Sequence, residues 1–121
     1  MSKRILTVDD SKTIRDMVAF TLRGAGFDVL EAEDGKLAIS VLKTSPADLI
    51  ITDLNMPNMD GITLIRTLRA DPAYRAVPIL MLTTEGDVQK KTEGREAGAT
   101  GWMVKPFSPE KLIELVKRVC G

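Results

Sequence analysis

Five residues in the sequence could do chemistry together, and each follows a short apolar run. Asp9 and Asp10 come after Ile5–Val8, Asp53 after Leu49–Thr52, Thr83 after Ile79–Leu82 and Lys105 after Gly101–Val104. Carboxylates set side by side are costly: two unit charges about 4 Å apart repel by roughly 4 kcal/mol at an effective dielectric of about 20. A hard divalent cation removes that conflict, because Mg2+ takes carboxylate oxygens while keeping several of its waters. It can then hold a phosphate oxygen next to a carboxylate that attacks phosphorus. A lysine ammonium offsets charge on the phosphoryl group, and a threonine hydroxyl donates a hydrogen bond to it. These residue types suggest phosphoryl transfer by positioning and charge balance, with no base needed to deprotonate the nucleophile.

The elements that must position them are legible. Together with Phe27–Ala32, the apolar runs read as strands covered on both faces, being short and mostly not alternating. Between them lie segments of helical period. Ile14, Met17, Val18 and Leu22 mark the first, Leu37, Ala38, Val41 and Leu42 the second, and Ile62, Ile65 and Leu68 the third. The fourth, Asp87 to Ala97, has only Val88, Ala97 and small residues on its apolar side, with Lys90, Lys91 and Arg95 on its polar side. Leu112, Leu115, Val116 and Val119 mark the last. Glycines in "GAGF" (24–27) and "EAGATG" (96–101) end the first and fourth helices. Five strand–helix pairs predict an α/β, doubly wound domain over residues 1–121, with parallel strands, right-handed crossovers and helices on both faces. Such sheets bind ligands outside the carboxyl ends of their strands, where strand order reverses.

Composition narrows the function. The 121 residues suit one domain with its own core, and 17 basic against 17 acidic residues leave no net charge to attract nucleic acid or an anionic membrane. The single Cys120 cannot form an internal disulfide, and no stretch has the length of a membrane span or the h-region of a signal peptide. A soluble, cytoplasmic protein is expected. The chain has no histidine, which excludes a Ser-His-Asp triad, a histidine zinc site, an imidazole base and a phosphohistidine of its own.

Each candidate also has a purely structural alternative. Asp10 or Ser11 could N-cap the first helix, Asp53 could cap a loop, and Lys105 could be a solvated surface charge. Asp60, before Gly61, reads as a turn or cap residue, and Thr84 in "TEGD" as a cap. Independent caps have no reason to follow the first, third, fourth and fifth strands with types that jointly make a metal–phosphate site.

The segments "VDDS" (8–11), "DLNMPNMDG" (53–61), "LTTE" (82–85) and "VKPF" (104–107) resemble those of bacterial two-component response-regulator receiver domains, and the likeness covers essentially the whole chain. It implies a five-stranded flavodoxin-like sheet of order 2-1-3-4-5. It also implies that Asp53 receives a phosphoryl group from a phosphohistidine on a sensor kinase. Asp10, Asp53 and the backbone carbonyl of Asn55 would bind Mg2+ directly, with Asp9 acting mainly through a metal-bound water. Thr83 and Lys105 would contact the phosphoryl group, and the Lys105–Pro106 bond would be cis. Asn55 and Glu85 would tune hydrolysis of the acyl phosphate. Trp102 stands at the switch position, where Tyr or Phe is more usual; the alternative is a Trp partly packed on the sheet edge.

Within the family the likeness is to stand-alone chemotaxis regulators of the CheY type. It implies a CheA-like histidine kinase, a FliM-like flagellar motor switch protein and a phosphatase as partners. Because the sequence stops at Gly121, after the last helix, output is expected by docking to another protein. An intermediate of a non-chemotaxis phosphorelay, or a receiver excised from a larger regulator, fits the same residues. A Mg2+-dependent aspartyl-nucleophile phosphatase would want an acid where Asn55 stands, and a flavodoxin-like cofactor binder would want hydroxyls and amides where "DDSKT" (9–13) stands.

Overall fold

The structure is a computed structural model that describes residues 3–84 and 88–120. Strands and helices alternate along the chain. The first half runs β1 (Arg4–Val8), α1 (Lys12–Gly24), β2 (Asp28–Ala32), α2 (Gly35–Thr44) and β3 (Leu49–Asp53). The second runs α3 (Gly61–Ala70), β4 (Ile79–Thr84), α4 (Val88–Ala97), β5 (Gly101–Lys105) and α5 (Pro109–Cys120). All strand pairings are parallel, and the sheet order is β2-β1-β3-β4-β5, as the resemblance implies. Among the described residues no helix is long and apolar enough to cross a membrane.

The unbroken apolar strands are explained by two cores, one on each face. Ile5, Leu49, Ile51, Leu80 and Leu82 pack with Val18 and Leu22 of α1 and Leu112 and Val116 of α5. Leu6, Val8, Ile50, Ile79 and Met81 point the other way, to Ala38 and Leu42 of α2 and to Leu64, Ile65 and Leu68 of α3. Successive strand residues alternate faces, so both sets must be apolar.

Strand ends differ from the apolar runs by a residue or two. Asp53 and Lys105 close their strands and Thr83 lies inside its own rather than following them, because backbone pairing continues past the last apolar side chain: Asp53 pairs with Leu82, Thr83 with Val104 and Thr84 with Lys105. Phe27 belongs instead to the turn ending α1, its N–H donating to the Leu22 carbonyl at 3.0 Å. Both glycine stops hold, with φ of 96° at Gly26 and 115° at Gly98. The thinly apolar α4 does form, and Gly94 is its one buried residue. A Cβ at that position would overlap Met81 Sδ, so the missing side chain is what lets this polar helix lie close to β4.

Candidate functional site

Register brings the acids together. Val8 pairs with Thr52, so the next residues, Asp9 and Asp53, emerge side by side where the chain leaves β1 and β3 toward opposite edges of the sheet. Single ligand oxygens of Asp9, Asp10 and Asp53 all lie within 4.8 Å of one another. Lys105 reaches in from β5, its Nζ 3.0 Å from Asp53 Oδ1 and 3.5 Å from Asp9 Oδ2. Among the described residues this one ammonium pairs with two of the three carboxylates, so the cluster keeps excess negative charge.

Asp9 bears most of the strain. It is fully buried, and its Oδ1 accepts the Ser11 N–H at 2.9 Å while its Oδ2 has no hydrogen-bond partner. Burial pushes its pKa above the usual carboxylate value, against the Ser11 hydrogen bond; Asp53 raises it further, Lys105 opposes and Asp10 adds a smaller push upward. A buried carboxylate oxygen with no hydrogen bond, compensated only by the ammonium of Lys105 at 3.5 Å and set in a group of three acids, fits a hard cation that prefers oxygen ligands. Asp9, Asp10 and Asp53 would hold such an ion.

The structural alternatives resolve differently for each residue. Ser11 caps α1, its Oγ accepting the Ile14 N–H at 3.3 Å, which leaves the exposed Asp10 to the acid cluster. Asp53 is 8% exposed and paired with Lys105, and Lys105 itself is mostly covered rather than a solvated surface charge. Asp60 is a cap, accepting the Thr63 N–H at 2.7 Å at the start of α3.

The remaining candidates lie around this centre. Thr83 is buried, and its hydroxyl donates to the Met103 carbonyl at 3.5 Å, the long limit for such a bond. Asn55 is exposed on the loop between β3 and α3. Lys105–Pro106 is cis, as the resemblance implies. Trp102 is half-buried on β5, with Arg95 Cζ 4.9 Å and Lys91 Nζ 5.9 Å from its ring centre. Glu85 and the "TEGD" capping reading fall on residues 85–87, outside the described residues.

Sequence reasoning passed over Arg15. Its Nη1 donates to the Asp9 carbonyl at 2.6 Å, and its Nε lies 3.4 Å from Glu31 of β2, so α1 grips the backbone of the buried acid. The position of Arg15, four residues after the cap Ser11 and so one turn into α1, was the available signal. Asp34 and Asn58 were passed over too: Asn58 Nδ2 donates to Asp34 Oδ2 at 2.9 Å, across 24 residues. Nothing in a single sequence links two such distant positions.

Comparison with known proteins gives the same picture. The response regulator receiver domain family matches residues 5–117. The phosphate regulon transcriptional regulatory protein PhoB of Escherichia coli K12 is 40% identical over 98% of this chain and 52% of its own length. The PhoB of Pseudomonas aeruginosa is 41% identical over the same shares. The chain thus spans about half the length of these curated relatives. Among solved structures, the chemotaxis response regulator CheY4 of Vibrio cholerae is 46% identical with a TM-score of 0.93, covering 98% of this chain and 99% of that one. A response regulator of Chloroflexus aurantiacus, itself described as putative, is 38% identical with a TM-score of 0.95, covering 99% and 98%. With its sheet order, its edge acids and a family match over nearly its whole length, the chain belongs to the response regulator receiver domains.

Proposed function

We propose that Asp53 accepts a phosphoryl group from a phosphohistidine on a CheA-like histidine kinase, in a Mg2+-dependent reaction, and that the phosphorylated chain changes its affinity for an output protein. On this reading residues 1–121 act as one cytoplasmic receiver domain, a signalling switch rather than an enzyme with a separate substrate. The observation that carries it is the placement of Lys105 Nζ, 3.0 Å from Asp53 and 3.5 Å from Asp9 at the mouth of the acid cluster.

Asp9, Asp10, Asp53 and the carbonyl of Asn55 are the groups that would hold Mg2+. When bound, the ion neutralises the acids and the charge on the phosphoryl oxygens. A carboxylate oxygen of Asp53 bonds to phosphorus as the P–N bond to the donor imidazole breaks, the electron pair leaving with the ring. Lys105 gives up part of its pairing with Asp53 to meet the incoming phosphoryl oxygens. Thr83, whose hydroxyl makes a long bond to the Met103 carbonyl, exchanges it for a phosphoryl oxygen. That movement frees space along β4 and β5, and Trp102 answers it beneath Arg95 and Lys91. Asn55 and Glu85 set how fast the acyl phosphate is hydrolysed.

For the output, the likeness to CheY4 over nearly all of both chains supports a FliM-like flagellar motor switch protein. The surface of α4 agrees with a docking role, since Val88 is 69% exposed beside the cationic Lys90, Lys91 and Arg95. A second reading, the receiver of a transcriptional regulator, is supported by identities of 40% and 41% to the PhoB proteins. Incubation with acetyl phosphate and Mg2+ should add one phosphoryl group to the chain, read by intact mass, and none to Asp53→Asn. Labelling that persists in Asp53→Asn would mean another residue is the acceptor. A pull-down with and without beryllofluoride decides between the two outputs by what the activated form retains.

A further inference from the structure

The loop 54–60 carries Asn55 from the end of β3 to the start of α3, and it is fastened at two places. At its base the Gly61 N–H donates to the Leu54 carbonyl at 2.9 Å, and a Cβ on Gly61 would overlap the Asp53 carbonyl oxygen. At its tip two consecutive loop residues meet the first residues of α2. Asn58 donates its amide to Asp34 Oδ2, while Met59 lies so close to Gly35 that a Cβ there would sit 2.8 Å from Met59 Cβ and Cγ. Asn55 lies between the base and the tip.

Asn58 is held in an unusual backbone state. Its φ of 68° makes it the one residue other than glycine with positive φ among the described residues. Asparagine tolerates that region better than most residues, yet a non-glycine side chain there still needs a reason. The Asp34 carboxylate supplies it: Oδ1 caps α2 by accepting the Leu37 N–H at 2.8 Å, leaving Oδ2 free to take the Asn58 amide. One carboxylate therefore ends a helix and fastens a loop.

We propose that the Asp34–Asn58 hydrogen bond is a positioning device, holding the Asn55 loop in the shape that presents it to the Asp9–Asp10–Asp53 cluster. Neither residue touches the reacting atoms. They act through the loop, and the inference rests on the reading of that cluster as a Mg2+ site. Loss of the bond leaves the tip held only by the packing of Met59 against Gly35, while the base stays closed by Gly61, so the Asn55 loop samples more shapes and must be ordered again each time the ion binds. Ion affinity falls although every candidate ligand is still present.

Two variants remove the bond and spare the rest. Asn58→Gly keeps the positive φ without strain. Asp34→Ser keeps an N-cap oxygen for α2 on a side chain too short to reach residue 58. Mg2+ affinity is measured by calorimetry with MgCl2 on wild type, each single variant and the double variant. About 0.15 M salt mutes the long-range effect of removing the Asp34 charge. Each single variant should bind Mg2+ about fivefold more weakly, a part of what a hydrogen bond to a charged group contributes because Met59 still holds the tip, and the double should be no worse than either. Losses that multiply in the double, or a melting temperature that drops while the Mg2+ dissociation constant stays put, would overturn the device. Wild type that does not bind Mg2+ at all would instead sink the reading of the site.

Discussion

Asp34 and Asp60 stand at the starts of α2 and α3, Asp9 stands at the end of β1, and the fold treats the same carboxyl group in opposite ways. The Leu37 N–H, followed by the Asn58 amide, holds Asp34 below its ordinary pKa, and the Thr63 N–H does the same for Asp60. The Leu37 and Thr63 N–H groups are ones the helix starts would otherwise leave unpaired, so the negative charge stabilises the fold. Asp9 has one backbone donor, a second oxygen met only by the Lys105 ammonium at 3.5 Å, and two acidic neighbours, and its pKa is raised chiefly by burial. The fold bears that charge at a loss. An acid that helps its own protein fold needs no bound ion to account for its charge, whereas an acid retained against a penalty points to something outside the chain that relieves it.

The largest effect that tests this contrast is the response to Mg2+. With the ion at about a hundred times its dissociation constant, the native state should gain about 2.7 kcal/mol, and a chelator should remove the gain. Asp10→Asn should lose most of that response. In chelator, however, it should be slightly more stable than wild type, by about 0.5 kcal/mol, because one repulsion is gone from an exposed position. Calorimetric melts of both proteins in both conditions measure this, and a clear loss of stability in chelator would return Asp10 to the helix-cap role that Ser11 fills here.

Asp60→Ala should behave in the contrary manner. Loss of an N-cap acceptor destabilises by about 1 kcal/mol, lowering the melting temperature by roughly 4 °C for a chain of this size. The loss should be similar with and without Mg2+, since Asp60 lies outside the acid cluster. A loss appearing only with Mg2+ would blur the line between the two kinds of acid.

How much of this was legible in the sequence depended on the range of the interaction. The strands were readable because both faces of the sheet are covered, so Leu49–Ile51 and Ile79–Leu82 are unbroken apolar runs. Asp9, Asp53, Thr83 and Lys105 were readable because each lies at or next to the carboxyl end of a strand, and parallel register turns sequence position into spatial position. The roles of Ser11 and Asp10 were not separable, since either type can cap a helix and only the Ser11–Ile14 bond distinguishes them. The docking of α4 was hidden for another reason: it depends on the small size of Gly94 over Met81, which no periodicity registers. Arg15 and the Asp34–Asn58 pair escaped because a long or amide side chain reveals its partner only once the elements are packed.

The smallest and most discriminating effect is in the acid range. The native pKa of Asp60 lies below its ordinary 3.8, so as pH falls the unfolded chain takes up the proton first. The cap's stabilisation is therefore complete well above 3.8 and is lost as pH drops through the native value. In chelator, urea midpoints of wild type and Asp60→Ala should stay separated by a constant interval from pH 7 down to about pH 5, then converge at lower pH. Asp9, with its raised pKa, works with the opposite sign: protonation relieves the native state before the unfolded one. Taken alone, the wild-type profile mixes both contributions. The difference between the two proteins does not, because Asp9 titrates in each of them and cancels. An interval that narrowed already between pH 7 and 5 would show that Asp60 is not held down by its hydrogen bond to the Thr63 N–H, and the contrast between helix-start and sheet-edge acids would lose one of its two sides.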